Sequence, residues 1–176
     1  MRPIRLTSLF AAIVGAVALS ATNGAWAQQK YSISGPPPSE THFVHDLTFD
    51  VGDVPGQVHR MHVHAARSQY LQGGLAFGGV TVKECVQNVF GDYVDQNGPF
   101  QGYGVYSLED GNKVFTRVVG ATQADGTGGM TFIFTESFSG GTGKFKGMRG
   151  LLRGSGAFSP GAGMKVVWNG EYWIEE

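Results

Sequence analysis

The chain has 176 residues, 28 of them glycine, and carries 13 Lys and Arg against 14 Asp and Glu. A balance this close to neutral, with no basic cluster, argues against nucleic acid, whose binding relies on Lys and Arg neutralising phosphates. It argues equally against recruitment to an anionic membrane surface.

Residues 1–27 read as a secretory signal peptide. Arg2 and Arg5 form the positive start, Leu9 to Leu19 the apolar centre, and Ala25-Trp26-Ala27 an A-x-A cleavage site. The mature chain is therefore expected to begin at Gln28 and to be secreted or periplasmic. The apolar run falls short of the ~20 residues that span a bilayer, and no later stretch is longer, so no membrane insertion is expected. No Cys follows the apolar run to carry a lipid anchor. Removal of 27 residues leaves 149 (176 − 27) with a net charge of −3 (11 − 14). That length suits one domain and buries roughly 68–70% of its unfolded surface. Cys85 is the single cysteine, so no internal disulfide forms, and a small buried hydrophobe is its expected role.

Residues 28–41 are rich in Gln, Ser and Pro, with Pro36-Pro37-Pro38, and read as an extended N-terminal arm outside the core. The rest, 42–176, is expected to be a single β domain, because alternation with period 2 replaces any sustained helical period. Phe43, His45, Leu47 and Phe49 alternate with polar neighbours, and Asp53-Val54-Pro55-Gly56 turns the chain. His59, Met61, Val63 and Ala65 alternate next. A long run from Leu75 to Phe90 is interrupted by Gly78-Gly79, a bend or bulge signal. Phe100–Leu108 and Lys113–Thr122 flank the turn Glu109-Asp110-Gly111-Asn112. Met130, Phe132, Phe134 and Phe138 share one face of the following strand, opposite Thr131, Ile133, Thr135 and Ser137. Gly150–Phe158 is a weaker strand. The last places Met164, Val166, Trp168, Tyr172 and Ile174 on one face.

About eight short strands with turns every 8–15 residues fit a sandwich or a barrel. Glycine at about twice its average usage favours the barrel, where strands bend sharply and approach closely. The expected fold is all-β, an eight-stranded antiparallel barrel. A closed barrel also removes exposed edges.

A glycine-framed phrase occurs twice. Gly98-Pro99-Phe100-Gln101-Gly102 recurs 45 residues later as Gly143-Lys144-Phe145-Lys146-Gly147. The second copy lies in Phe138-Ser139-Gly140-Gly141-Thr142-Gly143-Lys144-Phe145-Lys146-Gly147-Met148-Arg149-Gly150, which resembles the GGTGxFxGxxG corner of the allene oxide cyclase and dirigent-like barrels. The phrase at Gly98–Tyr103, followed by Leu108-Glu109-Asp110-Gly111, resembles that of bacterial exported proteins with this barrel. The resemblance covers roughly residues 75–175 and implies a calycin-like barrel with a central cavity. It further implies a protein that isomerises or cyclises apolar oxygenated substrates, or steers radical coupling, without a cofactor. The matching residues form corners, and none corresponds to a catalytic group of the family.

Two carboxylates fall on the apolar side of their strands: Glu84, at period 2 with Val80, Val82, Val86 and Phe90, and Glu136, with Phe132, Phe134 and Phe138. Asn88 shares the face of Glu84. A carboxyl in a poorly solvated place is biased towards its neutral form and suits general acid–base work or the polar end of a ligand. The alternatives are a wet position at a strand end, or a structural pair with Arg117, Arg149 or Arg153. Glu84 and Glu136 are the candidate catalytic residues. Asn88, Tyr106, Phe132, Phe134 and Trp168 are the candidate ligand-binding ones.

All five histidines lie between 42 and 64. His62 and His64 share a strand face and could ligate one metal, but His59 points the other way and no HExxH or Cys/His framework is present, so no metal site is assigned. The glycines at 140–143 do not make a phosphate loop: Phe138 and Phe145 stand where it needs Gly and Ser or Thr. No G-x-S-x-G elbow supports a hydrolase.

A barrel binding a small, mostly apolar molecule in its interior is the expected function. A cofactor-independent isomerase of the allene oxide cyclase type is the first alternative, and a structural barrel without a cavity the second.

Overall fold

The computed structural model describes residues 29–35, 38–71 and 74–175. The segment expected to be a signal peptide, with its cleavage site, lies outside the described residues.

The protein is all-β and antiparallel. Its strands are β1 (Tyr31–Ser34), β2 (Glu40–Asp50), β3 (His59–Gln69), β4 (Ala76–Phe77), β5 (Val80–Val94), β6 (Gly98–Leu108), β7 (Lys113–Ala124), β8 (Met130–Gly141), β9 (Met148–Ser159) and β10 (Gly163–Ile174). The eight alternating segments of the sequence form β2, β3 and β5–β10, and two short strands bring the total among the described residues to ten. One sheet contains them in the order β1-β10-β9-β8-β7-β6-β5-β3-β2, with β4 paired to β5. No main-chain pairing joins β1 to β2 among the described residues, so the ladder is open at these two edges.

The segment expected to lie outside the core as an arm contributes β1. Tyr31–Ser34 pairs with Asn169–Tyr172, and Ile33 is buried. Four residues are too few for alternation to announce them.

Antiparallel partners point to the same face, so the register sorts every side chain. The inner face carries Cys85, Tyr106, Val114, Phe138, Leu152 and Tyr172, all buried. Three β-bulges interrupt the ladder, between Phe43 and His45, Val82 and Glu84, and Phe115 and Thr116. Each inserts one residue and bends the strand, which is how a sheet of this size curls.

The core occupies one end of the curl. Phe77, fully buried on β4, meets Tyr106, Phe138 and Tyr172 edge-on at 5.4, 5.5 and 5.7 Å. One ring thus touches β6, β8 and β10, three alternate strands of the sheet. Phe145 and Met148, also fully buried, close the layer beneath.

The two glycine-framed phrases take different structures. Gly98–Gly102 opens β6, whereas Gly143–Phe145 is a 3-10 turn between β8 and β9. Gly143 has φ +53° and a Cβ on Gly147 would lie 1.9 Å from the Glu175 carbonyl oxygen, so both positions need glycine. The turn thereby drives Phe145 inward.

Candidate functional site

Glu136 sits on the inner face of β8, 2% exposed. The Tyr106 hydroxyl donates to both its oxygens at 3.1 Å, and the Thr116 hydroxyl donates to Oε1 at 2.5 Å. Gln87 on β5, paired with Gly104, faces the same cluster. Gly104 faces the same point: a Cβ there would lie 2.4 Å from Thr116 Oγ1 and 3.1 Å from Glu136 Oε1. The cluster therefore exists because β6 carries no side chain at that place.

Burial pushes the Glu136 carboxyl up, against the hydrogen bonds from Thr116 and Tyr106 that favour its charged form. Burial likewise raises the Tyr106 phenol and the Cys85 thiol, and the neighbouring Glu136 adds to both shifts. Tyr70 is raised by burial too. These groups favour their protonated states together. The arrangement suits a carboxyl that gives up or takes a proton in a poorly solvated place, with two hydroxyls donating to it.

The inner face changes character two residues further along β8. Phe134 and Phe132 are half-buried and their ring centroids lie 6.4 Å apart. Each lies flat over a glycine of β9: a Cβ on Gly154 would be 2.3 Å from the Phe134 ring, and one on Gly156 would be 2.2 Å from Phe132. Trp168 pairs with Gly154 from the far side and covers Gly35. The glycines let the rings recline along the sheet, so an aromatic floor begins beside Glu136 and runs away from the packed core.

Glu136, Tyr106, Phe132, Phe134 and Trp168 thus share one face. Glu84 and Asn88 do not. Lys83 is the extra residue of the bulge between Val82 and Glu84, so the inward parity passes from Val82 to Cys85, Gln87 and Val89. Glu84 consequently faces outward, 3.8 Å from Arg67 Nε. Asn88 is exposed on the outer face. The two carboxylates therefore point to opposite faces and have no shared cavity. The arginines weighed as partners of Glu136 lie elsewhere: Arg149 pairs with Glu175 at 3.3 Å, and Arg117 and Arg153 are on the outer face. Sequence reasoning missed Thr116 and Gln87. Thr116 was signalled by its parity with Val114 and Val118, Gln87 only by the hidden bulge.

Histidines gather where β2, β3 and β5 meet. His59 lies between two carboxylates, with Nδ1 2.5 Å from Asp53 Oδ1 and Nε2 2.6 Å from Asp92 Oδ1. His62 Nε2 is 2.5 Å from Asp46 Oδ1, and its ring centroid is 4.7 Å from that of His64. Among the described residues no group of three or more His, Cys, Asp or Glu is placed to hold a metal ion.

Asp92 and Asp53 raise the His59 pKa from its ordinary 6.5. A base raised in the folded state adds stability that is complete below about pH 6.5 and is lost as pH rises through the folded value. His59→Gln is therefore expected to lower the urea midpoint at about pH 5.5 and to matter less at about pH 9. An equal loss at both pH values would contradict the ion-paired geometry. Burial moves His64 the opposite way, so the wild type must be compared with the variant at each pH.

No protein-family model, curated protein or solved structure matches this chain.

Proposed function

We propose that this chain is an exported barrel protein of the allene oxide cyclase and dirigent-like type, whose eight long strands curl around a small, mostly apolar ligand. The ligand lies on the inner face, over Phe132, Phe134 and Trp168, with its polar end towards Glu136. The observation that carries this reading is the continuity of one surface. Reclining half-buried rings run directly into a buried, hydrogen-bonded carboxyl. Apolar sites with a few convergent polar groups are where small molecules bind. The N-terminal signal-peptide pattern supports export.

The geometry around Glu136 also favours a second reading, a cofactor-independent isomerase. A protonated Glu136, positioned by Tyr106 and Thr116, would then give its proton to an oxygenated apolar substrate, and the carboxylate so formed, held by the same two hydroxyls, would take a proton back from the substrate. Glu84 takes no part, since it faces the other way.

Trp168 reports on the proposed surface. With Trp173 replaced by phenylalanine, titration with an apolar fluorophore is expected to change Trp168 emission saturably at one site. Phe134→Ala should weaken that binding by about tenfold, a loss of ~1.4 kcal/mol. Absence of any saturable change would favour a structural barrel with no ligand.

A further inference from the structure

The outer face carries a groove of about 520 Å³, separate from the inner surface. The register resolves it into two neighbouring rows that cross five strands. One row is His45–Ala65–Asn88–Tyr103–Arg117, each residue paired with the next. The other is Leu47–Val63–Phe90–Gln101, continued beyond the groove by Val119. The first row is mostly polar and ends in a cation. The second is mostly apolar, and its Leu47 and Val63 are 57% and 40% exposed. Ala65, only 5% exposed, is the small residue at the floor.

Arg117 is the charge at one end, and it makes no ion pair among the described residues. Its one side-chain hydrogen bond, from Nη2 to Gln101 Oε1, is long at 3.4 Å. Among the described residues no Asp or Glu lines the groove. The outward carboxylates on β5, a strand of the groove, are already engaged: Glu84 with Arg67 and Asp92 with His59. An uncompensated guanidinium in a protein of net negative charge is a site for an anion, and its planar fork matches a carboxylate.

We propose that this groove binds an amphipathic carboxylic acid. Its carboxylate would sit on Arg117, with the Asn88 amide and Tyr103 hydroxyl alongside, and its apolar tail along Phe90, Val63 and Leu47. Strands lie about 4.8 Å apart, so the three intervals from Arg117 on β7 to Val63 on β3 span about 14 Å. That length suits a medium-chain or arylalkyl acid. This site is on the opposite face from the one over Phe134, and either stands without the other.

The test uses decanoate and decanol as probes of the mature chain, with amide shifts read by NMR. Decanoate is expected to shift resonances at Val63, Phe90 and Tyr103. Arg117→Gln should weaken it at least about tenfold and leave decanol unchanged. Binding of decanoate should also weaken with added salt, as an exposed charge pair does. Undiminished decanoate binding in Arg117→Gln would overturn the proposal. So would shifts confined to Phe134 and Trp168, or no binding of decanoate at all. Arg117 is an exposed strand residue, so its replacement leaves the fold intact, and Phe134→Ala serves as the control for the inner face.

Discussion

Phe77→Ala is expected to lower the stability of the fold by about 3–5 kcal/mol, the usual cost of truncating a fully buried phenylalanine. Phe77 belongs to a two-residue strand, yet its ring stands among Tyr106, Phe138 and Tyr172. Those three rings come from alternate strands that do not pair with one another. Without Phe77 they would face a void, which the surrounding sheet cannot fill without changing its curl. The neighbouring Gly78 amide donates to the Tyr172 hydroxyl at 2.7 Å, so the loss would also loosen a contact between β4 and β10. For a domain near 150 residues, a change of that size lowers Tm by about 10 °C. Urea or thermal unfolding reads this directly. A loss below about 1 kcal/mol would mean that Phe77 does not organise the curl.

The second large effect is expected at Glu136. Glu136→Ala removes the acceptor of two buried hydroxyls and opens a cavity, which together cost about 2–4 kcal/mol. Glu136→Gln keeps the shape and an acceptor for Tyr106 and Thr116, but no longer titrates. The two variants separate packing from charge. Burial raises the Glu136 pKa, so the folded state binds a proton more tightly than the unfolded chain. Stability therefore falls as pH rises from the unfolded value near 4.5 through the raised folded one. The stability of Glu136→Gln relative to wild type should accordingly increase from about pH 5 to about pH 8. His59 contributes equally to both proteins and cancels. A difference that does not vary with pH would place Glu136 in a solvated, unperturbed setting.

Much of this architecture was legible because period-2 alternation survives in most strands. The Met130–Phe138 and Met164–Ile174 patterns report their inward faces correctly, since no bulge lies within them. Ser139, the extra residue of the β8 bulge, comes just after Phe138 and leaves the earlier parity untouched. Glu84 was misplaced by the same device at a different position. A single inserted Lys83 reverses parity midway through β5, and its residue type carries no mark of the bulge. Two short strands escaped for want of length. β4 shows only as Ala76-Phe77 before a glycine pair, although its one phenylalanine centres the core. The duplicated glycine-framed phrase suggested equivalent corners, yet Phe100 enters a strand and Phe145 a 3-10 turn. Glycines permit both, so local conformation there is decided by what each phenylalanine can pack against. The convergence of Tyr106, Thr116 and Glu136 needed inter-strand register, which no single segment encodes.

Native mass spectrometry of the protein, purified without denaturation from its native source, tests the ligand-binding account most directly. The account predicts a reproducible added mass that denaturation releases, that Phe134→Ala diminishes and that Arg117→Gln retains. A bare polypeptide mass in wild type and variants alike would contradict it, and would leave the inner face as packing alone.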